Sequence, residues 1–169
     1  MEDEAKESLD LRQQHFLAIA DEYKDVIAKV CSVYVSEASP FADLYQEVMI
    51  NLWTGLDTYK HQAKVSTWIY RIALNTCITW SRKAGRSKDV VVRLDNGFDI
   101  PDTDPDVAAQ MAELYALIGR LEPFDKALIT LWLDEKSYEE IAAILGITKQ
   151  NVATRLYRTR QRLAELADK

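Results

Sequence analysis

The chain has 169 residues, of which 48% are hydrophobic and 28% are charged, and its formal net charge is −6. This length fits one domain or two small ones, and the apolar fraction is ordinary for a globular protein. The composition excludes two classes: there is no run of about 18 apolar residues for a transmembrane helix, and too little glycine and proline for a turn-rich all-β fold.

The amino-terminal segment MEDEAKESLD is acidic and lacks the basic and apolar parts of a signal peptide, which predicts a cytoplasmic protein. Cys31 and Cys77 lie far apart in mostly apolar, helix-like contexts, so both are expected to be reduced, buried thiols. The two histidines, His15 and His61, are isolated and no metal-ligand spacing is present. We therefore expect no metal and no cofactor.

The first half of the chain reads as helices. Apolar residues recur at helical spacing over residues 15–35, and SEASP then ends that helix before Pro40. The next helix has apolar residues at every fourth position, Leu44, Val48 and Leu52. A loop follows Gly55, after which Ser66 or Thr67 is predicted to cap a third helix over residues 67–83.

The third helix has three distinct faces. Its predicted core stripe consists of Ile69, Ile72, Ala73, Thr76 and Trp80. Leu74 and Ile78 lie nearly opposite that stripe, which predicts that a second element covers them. The remaining, uncovered strip holds Trp68, Arg71, Asn75 and Arg82. Aromatic and basic groups together suit unstacked nucleic-acid bases, although a core tryptophan with solvated arginines is the simpler alternative.

Helical periodicity is lost between residues 85 and 106, where prolines, glycines and aspartates cluster as in a linker. VVVRL within it is the one candidate for a short strand. Charge is segregated around this stretch: Asp89 is the single acid among the charged residues from 60 to 93, and Arg120 the single base from 95 to 125. Helices are predicted to resume at residue 107, with Pro123 starting the next one.

The carboxy-terminal part predicts a helix-turn-helix. Ser137 and Glu140 form a capping-box pattern, and the helix they begin turns Ile141, Ala142 and Leu145 inward. Gly146 permits a sharp turn, and Thr148 is the predicted N-cap of the last helix.

The last helix separates an apolar stripe from a polar, basic face. The stripe is Val152, Leu156, Thr159 and Leu163, and the opposite side carries Gln150, Thr154, Tyr157, Arg158 and Gln161. Amide, hydroxyl and guanidinium groups are the donors and acceptors that read base edges, and the flanking cations suit phosphates. A merely solvated face is the alternative, but the coincidence of cap, turn, stripe and acid-free face favours DNA binding.

Three stretches in order, ADLYQEVMINLW, TWIYRIALNTCITWSRK and SYEEIAAILGITKQNVATRLYRTRQRL, resemble the bacterial extracytoplasmic-function sigma factors. These are small RNA polymerase sigma subunits that keep only the second and fourth conserved regions. The resemblance implies an all-α protein of two small helical domains, a region-2-like domain at 1–88 and a region-4-like helix-turn-helix domain at 107–169. An acidic, flexible linker at 89–106 would join them.

The resemblance also implies site residues. Those expected to dock on core RNA polymerase are Asp43, Gln46, Glu47 and Asn51. The loop from Tyr59 to Ser66 and the third helix would melt and read the minus-ten promoter element, with contacts from Lys64, Trp68, Arg71, Asn75 and Arg82. The last helix would read the minus-thirty-five element through Lys149, Gln150, Asn151, Thr154, Arg155 and Arg158.

The sequence departs from the family at a few of these positions. Gln150 and Asn151 replace a frequent Gly-Thr, Ala153 a frequent basic residue, and Thr79 a common aspartate, so no promoter sequence is predicted. The expected function is promoter-specific transcription initiation with core polymerase and promoter DNA, without enzymatic activity, and with an anti-sigma factor as a further partner. Two alternatives remain: a stand-alone helix-turn-helix regulator, and a sigma-like decoy that sequesters an anti-sigma factor.

Overall fold

The computed structural model describes residues 1–37, 39–85 and 104–169, and within these ranges the chain is all-α, as predicted. Seven α-helices and one 3-10 helix account for nearly all of the described residues, and an isolated bridge joins Ser36 to Ser39. The VVVRL segment and most of the predicted linker lie outside the described residues.

The first module consists of α1 (Glu2–Val33), α2 (Phe41–Gly55), a 3-10 turn (Leu56–Thr58) and α3 (Val65–Lys83). Helix α1 begins well before the predicted residue 15, in a segment that is almost entirely exposed. It was missed because an exposed helix needs no apolar period, although three acids in the first turn favour the helix amino terminus. The four-residue apolar period of α2 is confirmed, since all three of its members are buried.

The predicted cap of α3 is wrong. The N-cap is Lys64, whose backbone is extended and whose side chain makes no capping hydrogen bond, so Ser66 and Thr67 lie inside the first turn. The helix starts earlier because Val65 packs against the hydrophobic core, and burial of an apolar side chain outweighs the modest gain from a side-chain cap.

The second module consists of α4 (Pro105–Gly119), α5 (Pro123–Leu133), α6 (Tyr138–Leu145) and α7 (Lys149–Ala167). Helix α4 begins inside the predicted linker, where Asp104 accepts a 2.9 Å hydrogen bond from the backbone of Asp106. The start of α5 at Pro123 is confirmed. The sequence therefore predicts the start of α5 correctly and places the start of α4 slightly too late.

The capping box of α6 is confirmed by two reciprocal bonds: Glu140 N–H donates to Ser137 Oγ at 3.1 Å, and Ser137 N–H donates to the Glu140 carboxylate at 2.8 Å. Gly146 follows with φ 69°, in the left-handed region that glycine adopts without strain. Thr148 Oγ1 then accepts from Asn151 N–H at 3.1 Å and starts α7. These local bonds fix the angle at which α7 leaves the turn.

The two modules pack against one another through α3, which contacts both α5 and α6. Leu74 and Ile78 are buried, which confirms that a second element covers that side of α3. On the same face Tyr70 donates a 2.6 Å hydrogen bond to Asp134, the residue that follows α5. Cys31 and Cys77 are buried free thiols, and their mutual hydrogen bond, together with burial, raises the pKa of Cys77 well above its usual value. A thiol with a raised pKa forms little thiolate, so Cys77 is unreactive.

Candidate nucleic-acid interface

Helix α7 presents its polar side chains to solvent. The apolar stripe is buried as predicted, with Val152, Leu156 and Thr159 at most 3% exposed and Leu163 partly buried. All six residues predicted to contact the upstream promoter element are exposed: Lys149, Gln150, Asn151, Thr154, Arg155 and Arg158. The structure thus brings these donors and acceptors together on one outer face, a surface of the width that a major groove admits.

The cationic side chains of α7 differ in the contacts that they make with the rest of the protein. Lys149 pairs with Glu139 at 2.5 Å, and the hydrogen bond from Lys149 is the main cause of the lowered pKa of that carboxyl. Arg155 pairs with Asp125 at 3.1 Å and lies over the Phe124 ring. These contacts orient the two side chains at the edges of the helix.

Two further arginines of α7 contrast with each other. Arg160 stacks on Trp132, with its guanidinium 4.7 Å from the ring centroid. Arg158 makes no ion pair, hydrogen bond or ring contact with the described part of the chain. Arg158 is therefore an exposed donor on the outer face whose hydrogen-bonding groups remain available to a ligand.

Tyr157 and Gln161 form a pair that the sequence placed on the outer face without assigning it a contact. Tyr157 is 63% exposed, and Gln161 Nε2 donates to its hydroxyl at 2.9 Å. A hydrogen bond between side chains one helical turn apart favours this orientation of the ring by about 0.2–0.5 kcal/mol. The signal that could have found it is the four-residue spacing of the two side chains.

The strip predicted on α3 is only partly exposed. Arg71, Asn75 and Arg82 are exposed, and so is Lys64 at the start of the helix. Trp68 is buried, at 8% exposure, so its place in an uncovered strip is wrong. The reason lies in the preceding loop: the Tyr59 ring stacks on Trp68 with centroids 4.9 Å apart and covers it.

That loop carries an aromatic stack that the sequence did not predict. The His61 ring is tilted against the Tyr59 ring, with the two centroids 4.5 Å apart, and the His61 backbone adopts φ 56°. Tyr59 Oη donates to the carbonyl of Ala63 at 2.6 Å, which closes the loop on itself. Tyr59 and His61, with Trp68 buried against Tyr59, place aromatic surface near the exposed cations of α3. Unpaired bases stack on surfaces of this kind.

The polar positions of α2 adjoin the same helix. Asp43 and Gln46 are exposed, while Glu47 and Asn51 are half-buried. Asn51 donates to Thr76 Oγ1 at 2.9 Å, so it ties α2 to α3. A groove of about 300 Å³ runs between the two helices, lined among others by Glu47, Asn51, Asn75, Trp80 and Lys83. Two sets of residues that the sequence treated separately therefore share one groove.

In the described ranges, no group of three or more His, Cys, Asp or Glu side chains is positioned to hold a metal ion. Among the helices described here, none combines the length and the apolar character needed to cross a membrane.

Comparison with known proteins matches both modules. The sequence profile of Sigma-70 region 2 matches residues 19–87, and that of Sigma-70, region 4 matches residues 111–163. The ECF RNA polymerase sigma-E factor of Escherichia coli (strain K12) is 29% identical over 162 residues, covering 88% of this chain and 84% of the relative. The ECF RNA polymerase sigma factor SigW of Bacillus subtilis (strain 168) is 29% identical over 164 residues, covering 89% and 88%.

Two solved structures share the fold. CnrH, in complex with the cytosolic domain of CnrY, superposes with a TM-score of 0.65 at 21% identity, covering 92% of this chain and 89% of that one. The sigma factor RpoE from Bartonella quintana, in complex with the anti-sigma factor NepR, gives 0.64 at 21% identity, covering 92% and 96%. At this identity the likeness establishes the arrangement of helices.

Proposed function

The chain belongs to the extracytoplasmic-function sigma factors of the sigma-70 family, and from that premise we propose how its two modules divide the work of transcription initiation. The protein is a dissociable subunit that binds core RNA polymerase and directs it to promoters. Bond-forming chemistry belongs to the polymerase, so the chain itself has no enzymatic activity. It acts in the cytoplasm, where the polymerase and the DNA are.

The observation that carries this function is the order of the two matched regions, together with the outward-facing polar surface of α7. A sigma-70 region 2 followed by a region 4 is the minimal set for reading two promoter elements. We assign the region-2-like module, residues 1–88, to polymerase binding and the minus-ten element, and the region-4-like module, residues 107–169, to the minus-thirty-five element.

The upstream contacts are assigned to the first three turns of α7. Gln150, Asn151 and Thr154 offer amide and hydroxyl groups toward base edges, and Arg158 offers a guanidinium. Lys149 and Arg155, each paired with an acid at the helix edge, are better suited to the phosphates that position the helix.

The downstream contacts are assigned to α3 and the aromatic loop. Lys64, Arg71 and Arg82 supply positive charge, while Asn75 borders the groove between α2 and α3. Trp68 is assigned an indirect role: it packs against the Tyr59 ring and does not contact DNA itself. Extruding a base from the DNA stack costs a few kcal/mol. A preformed loop lowers the additional cost, because less conformational entropy is lost when the base binds.

Core polymerase binding is assigned to the polar side of α2. Asp43 and Gln46 are available at the surface, and Glu47 and Asn51 line the groove. Because Asn51 is bonded to Thr76, its contribution is to hold the docking helix against the DNA-reading helix. An anti-sigma factor is a further partner, which the complex of RpoE with the anti-sigma factor NepR supports.

The two other functions differ in what they require. A stand-alone regulator usually dimerises to match two half-sites, and no heptad run or sensor domain is present in the sequence. A decoy for an anti-sigma factor has no use for the exposed Arg158 and its neighbours on α7.

The deciding experiment is transcription by sigma-free core polymerase on fragmented genomic DNA of the source bacterium, with and without the protein. We expect discrete transcripts that require the protein, whose aligned upstream sequences give both promoter elements. Absence of transcripts with tight DNA binding by the protein alone would favour the regulator. Absence of both activities, with capture of an anti-sigma partner, would favour the decoy.

A further inference from the structure

A polar pocket of about 860 Å³ lies where the ends of α1 and α3 meet the start of α5, and one residue of α7 completes its wall. We call it the junction pocket. Tyr34 Oη donates to the carbonyl of Pro123 at 2.7 Å, and this bond joins the α1 side of the wall to the α5 side. Pockets that bind small molecules have volumes of about 300–1,000 Å³. The junction pocket therefore has room for a molecule larger than a single ion.

Positive charge predominates in the junction pocket. Its charged lining residues are Arg82, Arg120, Lys126, Arg155, Glu122 and Asp125. Asp125 is paired with Arg155 at 3.1 Å, which leaves three cations against Glu122. Arg120 is also the single base that the sequence carries from residue 95 to residue 125. The excess of cations favours an anionic ligand.

Two guanidinium groups of the junction pocket have no protein partner. Arg71, elsewhere on α3, donates a 2.6 Å hydrogen bond to the carbonyl of Ala143. By contrast, the side chains of Arg82 and Arg120 make no ion pair, hydrogen bond or ring contact with the residues that the structure describes. A guanidinium presents its donors as a fork that matches two oxygens of a phosphate. Two such forks at one pocket suit a ligand with two adjacent phosphate groups.

Two buried polar side chains of the same pocket also point to a ligand. Lys126 is 6% exposed, and burial lowers its pKa to about 8, against the opposing effect of Glu122, so the ammonium is still charged at neutral pH. Ser39 is 1% exposed, and its Oγ has no hydrogen-bond partner within the described ranges. Buried lysines are normally paired and buried hydroxyls normally bonded. An anion in the pocket supplies acceptors for both donors.

The start of α5 adds to the attraction for an anion. The first-turn residues Phe124 and Asp125 line the pocket, and the side chain of the N-cap residue Glu122 makes no capping hydrogen bond. The N–H groups of a first helical turn have no partner within the helix, and the helix dipole is positive at this end. Phosphates bind at such positions.

We propose that the junction pocket binds a small molecule through a diphosphate group, which Arg82, Arg120 and Lys126 hold. Free inorganic diphosphate and a nucleoside diphosphate share this group, and the volume of the pocket admits either. The site is separate from the promoter contacts of the proposed function, although Arg82 and Arg155 belong to both surfaces. Neither of these two arginines is therefore altered in the test.

Isothermal titration calorimetry on the full chain tests the pocket near neutral pH, without divalent metal and at constant ionic strength. The probe is inorganic diphosphate, and sulfate and citrate are the comparison anions. We expect one saturable site per chain, with at least about tenfold higher affinity for diphosphate than for either comparison anion, because only diphosphate offers two adjacent tetrahedral groups. No saturable binding, or equal affinity for all three anions, would overturn the proposal.

Arg120→Glu is compared with Arg162→Glu as a matched control. Both arginines are exposed, but Arg162 does not line the pocket. We expect Arg120→Glu to lose at least about tenfold in diphosphate affinity, and Arg162→Glu to stay within about twofold of the wild type. Equal losses in the two variants would overturn the proposal, because diphosphate would then respond to the charge of the whole chain and not to the pocket.

Lys126→Met tests the buried ammonium, since it keeps most of the apolar side chain and removes the charge. We expect a loss of diphosphate affinity as large as that of Arg120→Glu, with a cooperative thermal unfolding transition that shows the variant to be folded. Wild-type affinity in folded Lys126→Met would contradict the proposal. If this variant does not fold, the exposed Arg120 still decides the result.

ADP distinguishes the two sources of the diphosphate group. Tighter binding of ADP than of inorganic diphosphate assigns the pocket to a nucleotide, and equal or weaker binding of ADP assigns it to the free ion. Both results support a diphosphate site. None of these measurements involves polymerase or promoter DNA, so failure of the proposed function leaves their outcome unchanged.

Discussion

Arg158 and Arg160 are two positions apart on α7, yet their side chains meet different surroundings. Arg160 is held on the Trp132 ring, whereas Arg158 extends from the outer face without such a contact in the described ranges. Both belong to the basic run of the last helix, and helical periodicity places only Arg158 on the side opposite the apolar stripe. The difference follows from the hundred-degree rotation per residue of a helix, which turns one toward α5 and the other toward solvent.

We predict that Arg158→Ala weakens binding to the minus-thirty-five element by about tenfold or more, since a lost guanidinium contact to a base costs about 1–3 kcal/mol. Fluorescence anisotropy with a promoter duplex measures the change. Core polymerase affinity is expected to stay at the wild-type value, and a parallel loss of it would contradict the separation of the two modules.

Arg160→Ala is the matched comparison for that variant. It removes the same charge from the same helix, but its main effect is expected on the midpoint of thermal unfolding, because a cation–π contact contributes about 0.5–1 kcal/mol at exposed sites. DNA affinity equal to that of Arg158→Ala would show that the two arginines act alike.

At the scale of elements, the sequence predicts features that depend on neighbouring residues better than features that depend on contacts between distant residues. The capping box at Ser137, the turn at Gly146 and the N-cap at Thr148 act within a few residues, so the sequence displays them directly. Burial of Trp68 depends on the Tyr59 ring, and the occupation of Arg71 depends on a helix more than seventy positions away. Helical periodicity identifies the polar and apolar faces of α3, but it does not identify the residues that pack on each face.

The turn of the helix-turn-helix gives a second prediction. Gly146→Ala is expected to lower the free energy of unfolding by about 1 kcal/mol, because an L-residue is strained in the left-handed region. An added Cβ would meet no atom within 4 Å, so the cost is backbone strain alone. Urea unfolding measures it, and Gly146→Asn should recover part of the loss since asparagine tolerates this conformation. Equal stability of all three proteins would refute the argument.

The groove between α2 and α3 gives a third prediction. Glu47→Lys reverses a half-buried charge on the assigned docking helix, and we expect core polymerase affinity to fall at least about tenfold, or about 1.4 kcal/mol. Binding to the upstream duplex should be unchanged. Glu22→Lys makes the same charge change at an exposed position of α1 and serves as the control. Normal polymerase affinity in Glu47→Lys would remove the docking assignment.

At the scale of the whole molecule, a lysine is buried beside the junction of the two modules. Lys126 of α5 is 6% exposed, and its ammonium lies 5.4 Å from the ring of Tyr34 of the first module. Burial lowers the pKa of Lys126 to about 8, against the opposing effect of Glu122. The sequence offers no signal for this, since a lysine in the first turn of an amphipathic helix is normally solvated.

The lowered pKa predicts how stability depends on pH. Between about pH 8 and the usual lysine pKa the unfolded chain binds more protons than the folded one, so the free energy of unfolding rises with pH in this window. Lys126→Met removes the effect. We expect the stability of the Met variant relative to wild type to fall by about 2–3 kcal/mol between pH 7 and pH 10.

Denaturant unfolding at several pH values measures that difference. Lys24→Met, at a lysine whose side chain is 59% exposed, is expected to show a constant difference from wild type across the same range. A constant difference for Lys126→Met as well would mean that the ammonium is solvated.

The division of α7 into a buried stripe and an exposed face has an evolutionary consequence. Val152, Leu156 and Thr159 carry the packing, while Gln150, Asn151 and Thr154 are exposed and contribute little to stability. Mutations at the exposed positions therefore change folding stability little, and selection for a folded protein does not remove them. After gene duplication, a copy of such a protein can acquire a new set of target genes by a few substitutions, without an intermediate that fails to fold.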